Sequence, residues 1–263
     1  MKLILQNRIS KLFYCAILFL FLLPVGTTIQ AETKNVNLPS GFVYLDEIDP
    51  SISLDMRYFG DHNFVGRRIE GYKAQRCILT KEAASALSDV QKELKEFSMA
   101  LKIYDCYRPQ AAADDFLAWS KDLSDLKMKK EFYPKLDKKT IYDRGFIATK
   151  SGHSRGSAVD LTIVSLPEQK QEEYLSGQKL KECQLAQKKR FKDNSIDMGT
   201  GYDCFDSLAN TANPDIGSEQ KRNRLLLRSL MEKHGFKNAW GEWWHFKLVN
   251  EPFPDTYYNF EVE

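Results

Sequence analysis

The chain has 263 residues, of which 43% are hydrophobic and 28% charged, and its formal net charge is +2. A chain of this length can bury a full hydrophobic core and is best interpreted as one domain. The near balance of charge gives no reason to expect a nucleic acid or an anionic membrane surface as its partner.

Residues 1–31 have the three-part layout of a secretory signal peptide. A basic start is followed by an apolar run over residues 12–23, and TIQAET offers a cleavage site after Ala31. The apolar run is too short to favour a membrane-spanning helix, with an uncleaved anchor as the alternative. Three of the 38 basic residues lie in this segment, so residues 32–263 carry 35 basic and 36 acidic side chains. We expect an exported protein, periplasmic or secreted, without stable membrane insertion.

One of the five cysteines lies in the predicted signal peptide, which leaves four. An even number of cysteines in an exported chain favours two disulfides. Three pairings are possible, of which Cys77–Cys106 together with Cys183–Cys204 is the most local. A four-cysteine zinc site is the alternative, but its ligands usually come in close pairs such as C-x-x-C, and no such pair occurs here.

The first half of the chain mixes predicted strands and helices. Short strand-like pieces over residues 42–59 precede a helix for which Thr80 is the expected N-cap and whose apolar residues keep helical spacing up to Phe97. LKIYDCY predicts a strand, and RPQAAADDFLAWS predicts a helix with Pro109 in its first turn. SAVDLTIV predicts a second buried strand.

The second half begins with a highly charged stretch over residues 167–195. We interpret it as a surface insertion that could be helical and is anchored by Cys183, with an interaction arm as the alternative. SEQKRNRLLLRSLMEKHG predicts a helix capped by Ser218 and closed at Gly235, and GEWWHFKLV predicts a last strand. This irregular order predicts an α+β domain, with helices packed on a small antiparallel sheet, rather than a doubly wound sheet.

SGHSRGSAVD places a histidine and an aspartate seven residues apart at the start of a predicted strand. Its two glycines allow a tight turn, so that His153 and Asp160 can point towards one position. Nitrogen and carboxylate oxygen are zinc ligands, and a catalytic zinc site needs three protein ligands and one open position. For this pair alone, a structural hydrogen bond between histidine and aspartate is the alternative.

GEWWHF supplies a plausible third ligand, His245, and a candidate general base, Glu242. Residues i and i+3 of a strand point to opposite faces, so Glu242 has to lie on a turn before the strand if it shares a cavity with His245. Trp243 and Trp244 are expected to pack in the core or the cavity wall and to keep the site dry.

Arg108, in YDCYRP, stands at a predicted strand end just before a helix. A guanidinium held there can stabilise the oxyanion of a tetrahedral intermediate, with a structural ion pair as the alternative. The other two histidines have simpler interpretations. His62 is expected in a loop, and His234 at a helix C-terminus, where it complements the helix dipole.

These segments together resemble a known family. SGHSRGSAVDLT, YDCYRP, MGTGYDCFD, EWWHF and, near the front, RYFGDHNFVGRRIEGY are similar to segments of the D-alanyl-D-alanine dipeptidases of the vancomycin-resistance type. Those enzymes are zinc peptidases of the wider hedgehog/D-Ala-D-Ala-peptidase fold. The resemblance extends from about residue 42 to residue 260 and therefore covers nearly the whole chain after the predicted signal peptide.

The resemblance implies one zinc ion per chain, held by His153, Asp160 and His245. It also implies that Glu242 is the catalytic base and that Arg108 stabilises the transition state. The expected substrate is a small dipeptide whose carbonyl is polarised by the metal.

The resemblance further implies three substrate contacts. Ser151 would contact the substrate carboxylate, Asp203 would pair with the free amino terminus, and Tyr58 would line the same pocket. Two features depart from the family, whose resistance-type members act in the cytoplasm: the export signal with the expected disulfides, and the extra sequence around residues 167–195. A disulfide at Cys204, directly after Asp203, could rigidify or alter the amine pocket.

The expected function is therefore hydrolysis of D-alanyl-D-alanine released from the cell wall by an exported zinc dipeptidase. The alternatives are a D,D-carboxypeptidase or endopeptidase acting on peptidoglycan stem peptides, and a binding module that keeps zinc without catalysis. An enzyme for L,L- or mixed dipeptides is a further possibility.

Overall fold

The computed structural model describes residues 38–263, so the predicted signal peptide lies outside the described residues. Within that range no helix is both long and apolar enough to cross a membrane. In chain order the strands and α-helices are β1 (Phe42–Tyr44), α1 (Leu45–Ile48), β2 (Ser53–Leu54), β3 (Ile78–Thr80), α2 (Lys81–Glu96), β4 (Met99–Asp105), α3 (Gln110–Lys121), α4 (Lys129–Phe132), β5 (Ala158–Ser165), α5 (Ser218–Lys233), β6 (Phe236–Asn238) and β7 (His245–Leu248).

Five of the strands form one sheet, in the order β2-β4-β5-β7-β6. Strands β4, β5, β7 and β6 pair antiparallel, whereas the two-residue strand β2 pairs parallel to β4 at the edge. Strands β1 and β3 form a separate antiparallel pair. The predicted α+β fold with a small antiparallel sheet is confirmed, with a short parallel edge strand added to it.

Helix α2 has the apolar face that its periodicity predicts, with Ala83, Leu87, Val90 and Leu94 buried. Thr80 occupies the predicted N-cap position, but its hydroxyl lies 2.8 Å from the Ser157 hydroxyl and does not bond to the helix.

Two other predicted helix ends differ by one residue from the structure. Pro109 is the N-cap of α3 and not a residue of its first turn. Ser218 is the first residue of α5, and Gly217 takes the N-cap position. At the other end of α5 the chain turns away as predicted, because Gly235 adopts a φ of +86° that a glycine tolerates without steric strain.

Residues 167–195 contain one 3-10 turn, Gln187–Lys189, and no α-helix, so the helical interpretation of this insertion is wrong. Most of its charged side chains are exposed, but its end is anchored in the body of the domain. Asp193 accepts a hydrogen bond from the Tyr104 hydroxyl at 2.6 Å, and its backbone carbonyl accepts one from Lys102. The charged stretch therefore does not form an exposed helix, and Asp193 within it binds side chains of the sheet.

Both cysteine pairs of the most local pairing are disulfides in the structure. Cys77 and Cys106 join the segment before β3 to the end of β4, with their Cα atoms 5.3 Å apart. Cys183 and Cys204 join the insertion to the segment that carries Asp203, with a Cα separation of 5.6 Å.

Two hydrophobic clusters fill the interior. The first packs α2 and α5 against the sheet, and the second, which is rich in aromatic rings, surrounds α3. Tyr202 of the first cluster and Tyr58 of the second face each other, with ring centroids 6.5 Å apart. This meeting point of the two clusters lies directly behind the candidate site described below.

Gly156 and Gly145 provide a matched test of packing near the site. Both have a left-handed backbone, with φ of +77° and +78°. A Cβ at Gly156 would lie 2.1 Å from Cε1 of the buried Phe42, whereas a Cβ at Gly145 would have no atom within 4 Å. Alanine should cost about 1–2 kcal/mol at both positions through the backbone, and overpacking should add about 1–3 kcal/mol for Gly156→Ala only. Equal losses of unfolding free energy in urea would contradict this account.

Candidate active site

Neighbouring strands place three polar side chains side by side across the sheet. Asp105 of β4 is the register partner of Asp160 of β5, and Asp160 is the partner of His245 of β7. Side chains of directly opposed residues emerge on the same face of a sheet and lie close together. His153 reaches the same face from the 3-10 turn Gly152–Arg155 that precedes β5.

Three of these side chains converge on one position. His153 Nε2 lies 3.0 Å from His245 Nδ1 and 3.3 Å from Asp160 Oδ1, and His245 Nδ1 lies 2.9 Å from the same oxygen. Ligands of a tetrahedral zinc ion, bound at about 2.0–2.2 Å, are separated by about 3.4 Å. The two nitrogens and one oxygen therefore fit a metal ion with little movement. The structure brings together the three residues that the sequence predicted as ligands.

The orientation of His153 is determined by a backbone contact. Its Nδ1 lies 2.7 Å from the carbonyl oxygen of Cys106, to which it donates a hydrogen bond. In the neutral ring the lone pair is therefore on Nε2, which faces His245 and Asp160. Such a partner for the outer ring nitrogen is the usual support of a metal-binding histidine. The Cys77–Cys106 disulfide holds this carbonyl in the structure.

Asp160 is buried, with 2% of its surface exposed, and its two oxygens have different surroundings. Burial raises its pKa, but the adjacent His153 and His245 outweigh that effect and hold the pKa well below its usual range. Oδ1 faces the two histidines. Oδ2 accepts a hydrogen bond from the Tyr202 hydroxyl at 3.0 Å and lies 3.5 Å from Arg108 Nη2. Asp160 is thus an ionised carboxylate with two donors at Oδ2 and two histidines at Oδ1.

Glu242 lies on a turn before β7, as the spacing required. Its backbone N–H donates to the Ala239 carbonyl at 3.1 Å, and its carbonyl accepts from the His245 N–H at 3.3 Å. Its side chain faces the cavity with His245 and Asp160. Burial raises the pKa of Glu242 to about 7, with a smaller upward contribution from Asp160 and opposing ones from His245 and Arg108.

The two tryptophans after Glu242 have different positions. Both are buried, at 2% and 1% exposure. Trp244 lines the cavity wall. Trp243 points into the core, where its indole N–H donates to the Thr200 hydroxyl at 2.9 Å. The expectation of core or wall packing is confirmed, with one tryptophan in each place.

Arg108 stands between β4 and α3, as predicted, and lines the cavity. Its Nε and Nη2 donate to Asp105 Oδ2 at 2.9 and 2.8 Å, and its guanidinium lies 5.0 Å from the centre of the Tyr58 ring. Burial lowers the pKa of Arg108, but Asp105 and the other anionic groups raise it well above its usual value. The structural ion pair is therefore real, and it holds a charged guanidinium at the cavity wall.

The residues expected at the substrate ends also line this cavity. Asp203 is buried with a φ of +54°, and its Oδ2 accepts a hydrogen bond from the Tyr58 hydroxyl at 2.8 Å. Burial and the charge of Asp160 raise the pKa of Asp203 well above its usual range. Ser151 caps the turn before β5, where its Oγ accepts from the His153 N–H at 3.2 Å.

The cavity has a volume of about 710 Å³, which is within the range of small-molecule sites. Sequence reasoning missed its outer wall, formed by residues 144–148 and by Trp240, because these loop residues, which apart from Arg144 are glycine or apolar, carry no chemical signal. It also missed Asp105 and Tyr202. The only sequence signals for these two residues were the position of Asp105, three residues before Arg108, and that of Tyr202, next to Asp203.

The remaining histidines lie outside this cavity. His62 is a buried loop residue whose Nε2 lies 2.8 Å from Glu131 and whose ring stacks on Tyr174. His234 is the C-cap of α5 and lies 2.7 Å from Glu93. Both placements agree with the sequence interpretation.

Two histidines and a carboxylate beside a sheet, with a half-buried glutamate next to them, form the arrangement of a metallopeptidase. The sequence matches the family model described as D-ala-D-ala dipeptidase over residues 39–176 and 168–263. The chain therefore belongs to this metallopeptidase family.

Three curated relatives illustrate the similarity. The D-alanyl-D-alanine dipeptidase of Enterococcus faecalis is 34% identical over 225 residues, which are 86% of this chain and 100% of the relative. That of Streptomyces coelicolor is 35% identical over 221 residues, 84% of this chain and 98% of the relative. That of Escherichia coli is 30% identical over 206 residues, 78% of this chain and 83% of the relative.

The geometry predicts a divalent metal ion at the three converging side chains. Zinc added at about 100 times its dissociation constant should stabilise the protein by about 2.7 kcal/mol, because only the folded chain assembles the site. His153→Ala and His245→Ala should each lose most of this gain in thermal unfolding. His234→Ala is the matched control and should keep it. Equal stabilisation of all variants would place the metal elsewhere.

Proposed function

We propose that this protein is an exported zinc dipeptidase that hydrolyses D-alanyl-D-alanine. The observation that carries the proposal is a single cavity that contains the His153, Asp160 and His245 triad together with Glu242 and Arg108. The printed names of the relatives, all D-alanyl-D-alanine dipeptidases, support the choice of substrate.

His153, Asp160 and His245 would hold the zinc ion. Two imidazole nitrogens and one carboxylate oxygen are a donor set of catalytic zinc sites, and three protein ligands leave one position open. When bound, zinc supplies Lewis acidity, which polarises the substrate carbonyl and makes water a stronger nucleophile at neutral pH.

Glu242 would act as general base and then as general acid. A carboxyl group with a pKa of about 7 can both accept and donate a proton near neutral pH. It would take a proton from the attacking water and give it to the leaving amine, so that the group returns to its starting state after each cycle. Glu242 is not one of the three converging ligands, and its removal would leave the metal site intact.

Arg108 would stabilise the negative charge that develops on the carbonyl oxygen. The ion pair with Asp105 and the Tyr58 ring hold its guanidinium in place before the reaction, so no reorganisation is needed as the charge forms. Its Nη1 atom is not engaged by Asp105 and lies 3.5 Å from Ser151 Oγ, on the cavity side.

Asp203 and Ser151 would bind the two ends of the dipeptide. Asp203 is buried beside the charge of Asp160, which raises its pKa, and it lacks a cationic partner among the described residues. A substrate ammonium would supply that positive charge and favour the ionised carboxylate. The Ser151 hydroxyl can donate its proton to the substrate carboxylate while its oxygen caps the turn. Pairing of both ends would favour free dipeptides over longer peptides.

Two features support export. Residues 1–31 have the layout of a signal peptide. The domain also contains two disulfides, which persist in oxidising compartments outside the cytoplasm. An exported enzyme cannot deplete a cytoplasmic precursor, so recycling of D-alanyl-D-alanine released from the cell wall fits the proposal better than a resistance function.

Hydrolysis assays on the purified mature protein test this function. D-Ala-D-Ala should be cleaved, a chelator should abolish cleavage, and zinc should restore it. An N-acetylated dipeptide and a pentapeptide ending in D-Ala-D-Ala should be cleaved far more slowly, because neither offers an ammonium group to Asp203. Efficient cleavage of the pentapeptide would replace the proposal with a D,D-carboxypeptidase. Zinc binding without any cleavage would replace it with a binding module.

Glu242→Gln should lower kcat by about 10²–10⁴-fold, because the amide cannot accept or donate the transferred proton. The variant should bind one zinc ion as tightly as the wild-type protein. Glu219→Gln, at an exposed position of α5, is the control and should leave kcat unchanged. Near-normal turnover of Glu242→Gln would exclude Glu242 as the base.

A further inference from the structure

Tyr202 contacts the candidate metal site from behind. It is 3% exposed, and its hydroxyl lies 3.0 Å from Asp160 Oδ2. The other oxygen of Asp160 faces His153 and His245, at 3.3 and 2.9 Å. The Tyr202 hydroxyl is the donor in this contact. It therefore binds the oxygen that points away from the metal position and determines how the carboxylate is rotated.

Aromatic packing holds the Tyr202 ring. It stacks on Tyr104, with centroids 4.4 Å apart and planes 16° from parallel, and meets the edge of Trp244 at 5.5 Å and 75°. The Tyr104 hydroxyl in turn donates to Asp193 of the insertion at 2.6 Å. Because the Tyr202 ring is packed on two sides, its rotation is restricted, and its hydroxyl is positioned before any metal or substrate binds.

On its other side Tyr202 contacts the pocket of Asp203. The hydroxyl oxygens of Tyr202 and Tyr58 lie 3.2 Å apart, and the Tyr58 hydroxyl lies 2.8 Å from Asp203 Oδ2. A continuous series of contacts thus runs from Asp160 through two tyrosines to Asp203. Tyr202 donates its one proton to Asp160 and Tyr58 donates its one proton to Asp203, so the two hydroxyl oxygens meet without a proton between them and influence each other by direct contact.

We propose that Tyr202 is a positioning residue that fixes Asp160 for metal binding and couples it, through Tyr58, to Asp203. This inference rests on the proposed function, since it assigns a supporting role at the same metal site. Hydrogen bonds to the outer atoms of metal ligands orient those ligands, and their loss typically weakens metal affinity by about 10–100-fold.

Tyr202→Phe is the direct test, because it removes the hydroxyl and keeps the stacked ring. We expect zinc affinity, measured by competition with a chromophoric chelator, to fall by about 10–100-fold. Tyr107→Phe is the matched control: that tyrosine is 1% exposed and donates to the Phe260 carbonyl, away from the metal site. The two metal-free variants should have comparable urea midpoints. Unchanged zinc affinity of Tyr202→Phe would overturn the positioning role.

A double-mutant cycle tests the coupling. Tyr58→Phe, Tyr202→Phe and the double variant should change zinc affinity non-additively, since the two hydroxyl oxygens are in direct contact. Tyr202→Phe should also raise KM for D-Ala-D-Ala while leaving KM for the N-acetylated dipeptide unchanged. Additive effects would overturn the coupling. Zinc affinity is measured without substrate, so the test of Tyr202 can fail or succeed independently of the dipeptidase assay. A wild-type protein that binds no zinc would overturn both proposals.

Discussion

The buried carboxylate of Asp160 is the constraint on which the site depends. An ionised carboxylate removed from water costs several kcal/mol unless donors or positive charge surround it. Here Asp160 has polar neighbours at both oxygens: the two histidines at Oδ1, and the donors Tyr202 and Arg108 at Oδ2. The sheet register that places Asp160 opposite His245 and beside Asp105 makes this arrangement possible.

Burial and charge balance together explain why the carboxyl groups around the cavity differ. Asp160 is paired with two histidines, and its pKa is lowered. Asp105 is paired with Arg108, but burial outweighs this pairing and its pKa is raised. Glu242 and Asp203 have no such direct partner in the structure described, and the pKa of each is raised. These groups are of the same chemical kind, so the differences between their pKa values come from their surroundings.

The insertion over residues 167–195 contributes to the site without entering the cavity. Asp193 binds the Tyr104 hydroxyl, and Tyr104 supports the Tyr202 ring, while the Cys183–Cys204 disulfide ties the insertion to the residue after Asp203. Structure in this segment comes from contacts with the body of the domain and not from local periodicity. For this reason the charged composition suggested an exposed helix, whereas the segment is a loop anchored to the domain.

The sequence by itself determined the features that depend on local spacing: the periodic faces of α2 and α5, the turn that must carry Glu242, and the pattern of His153 and Asp160 seven residues apart. Family resemblance added the candidate substrate contacts Ser151, Asp203 and Tyr58, which also line the cavity. Only the tertiary structure decided that Tyr202 bonds to Asp160 across 42 residues and that an anchored loop supports it. Contacts between distant segments depend on how strands and rings pack, and no period in the sequence records that packing.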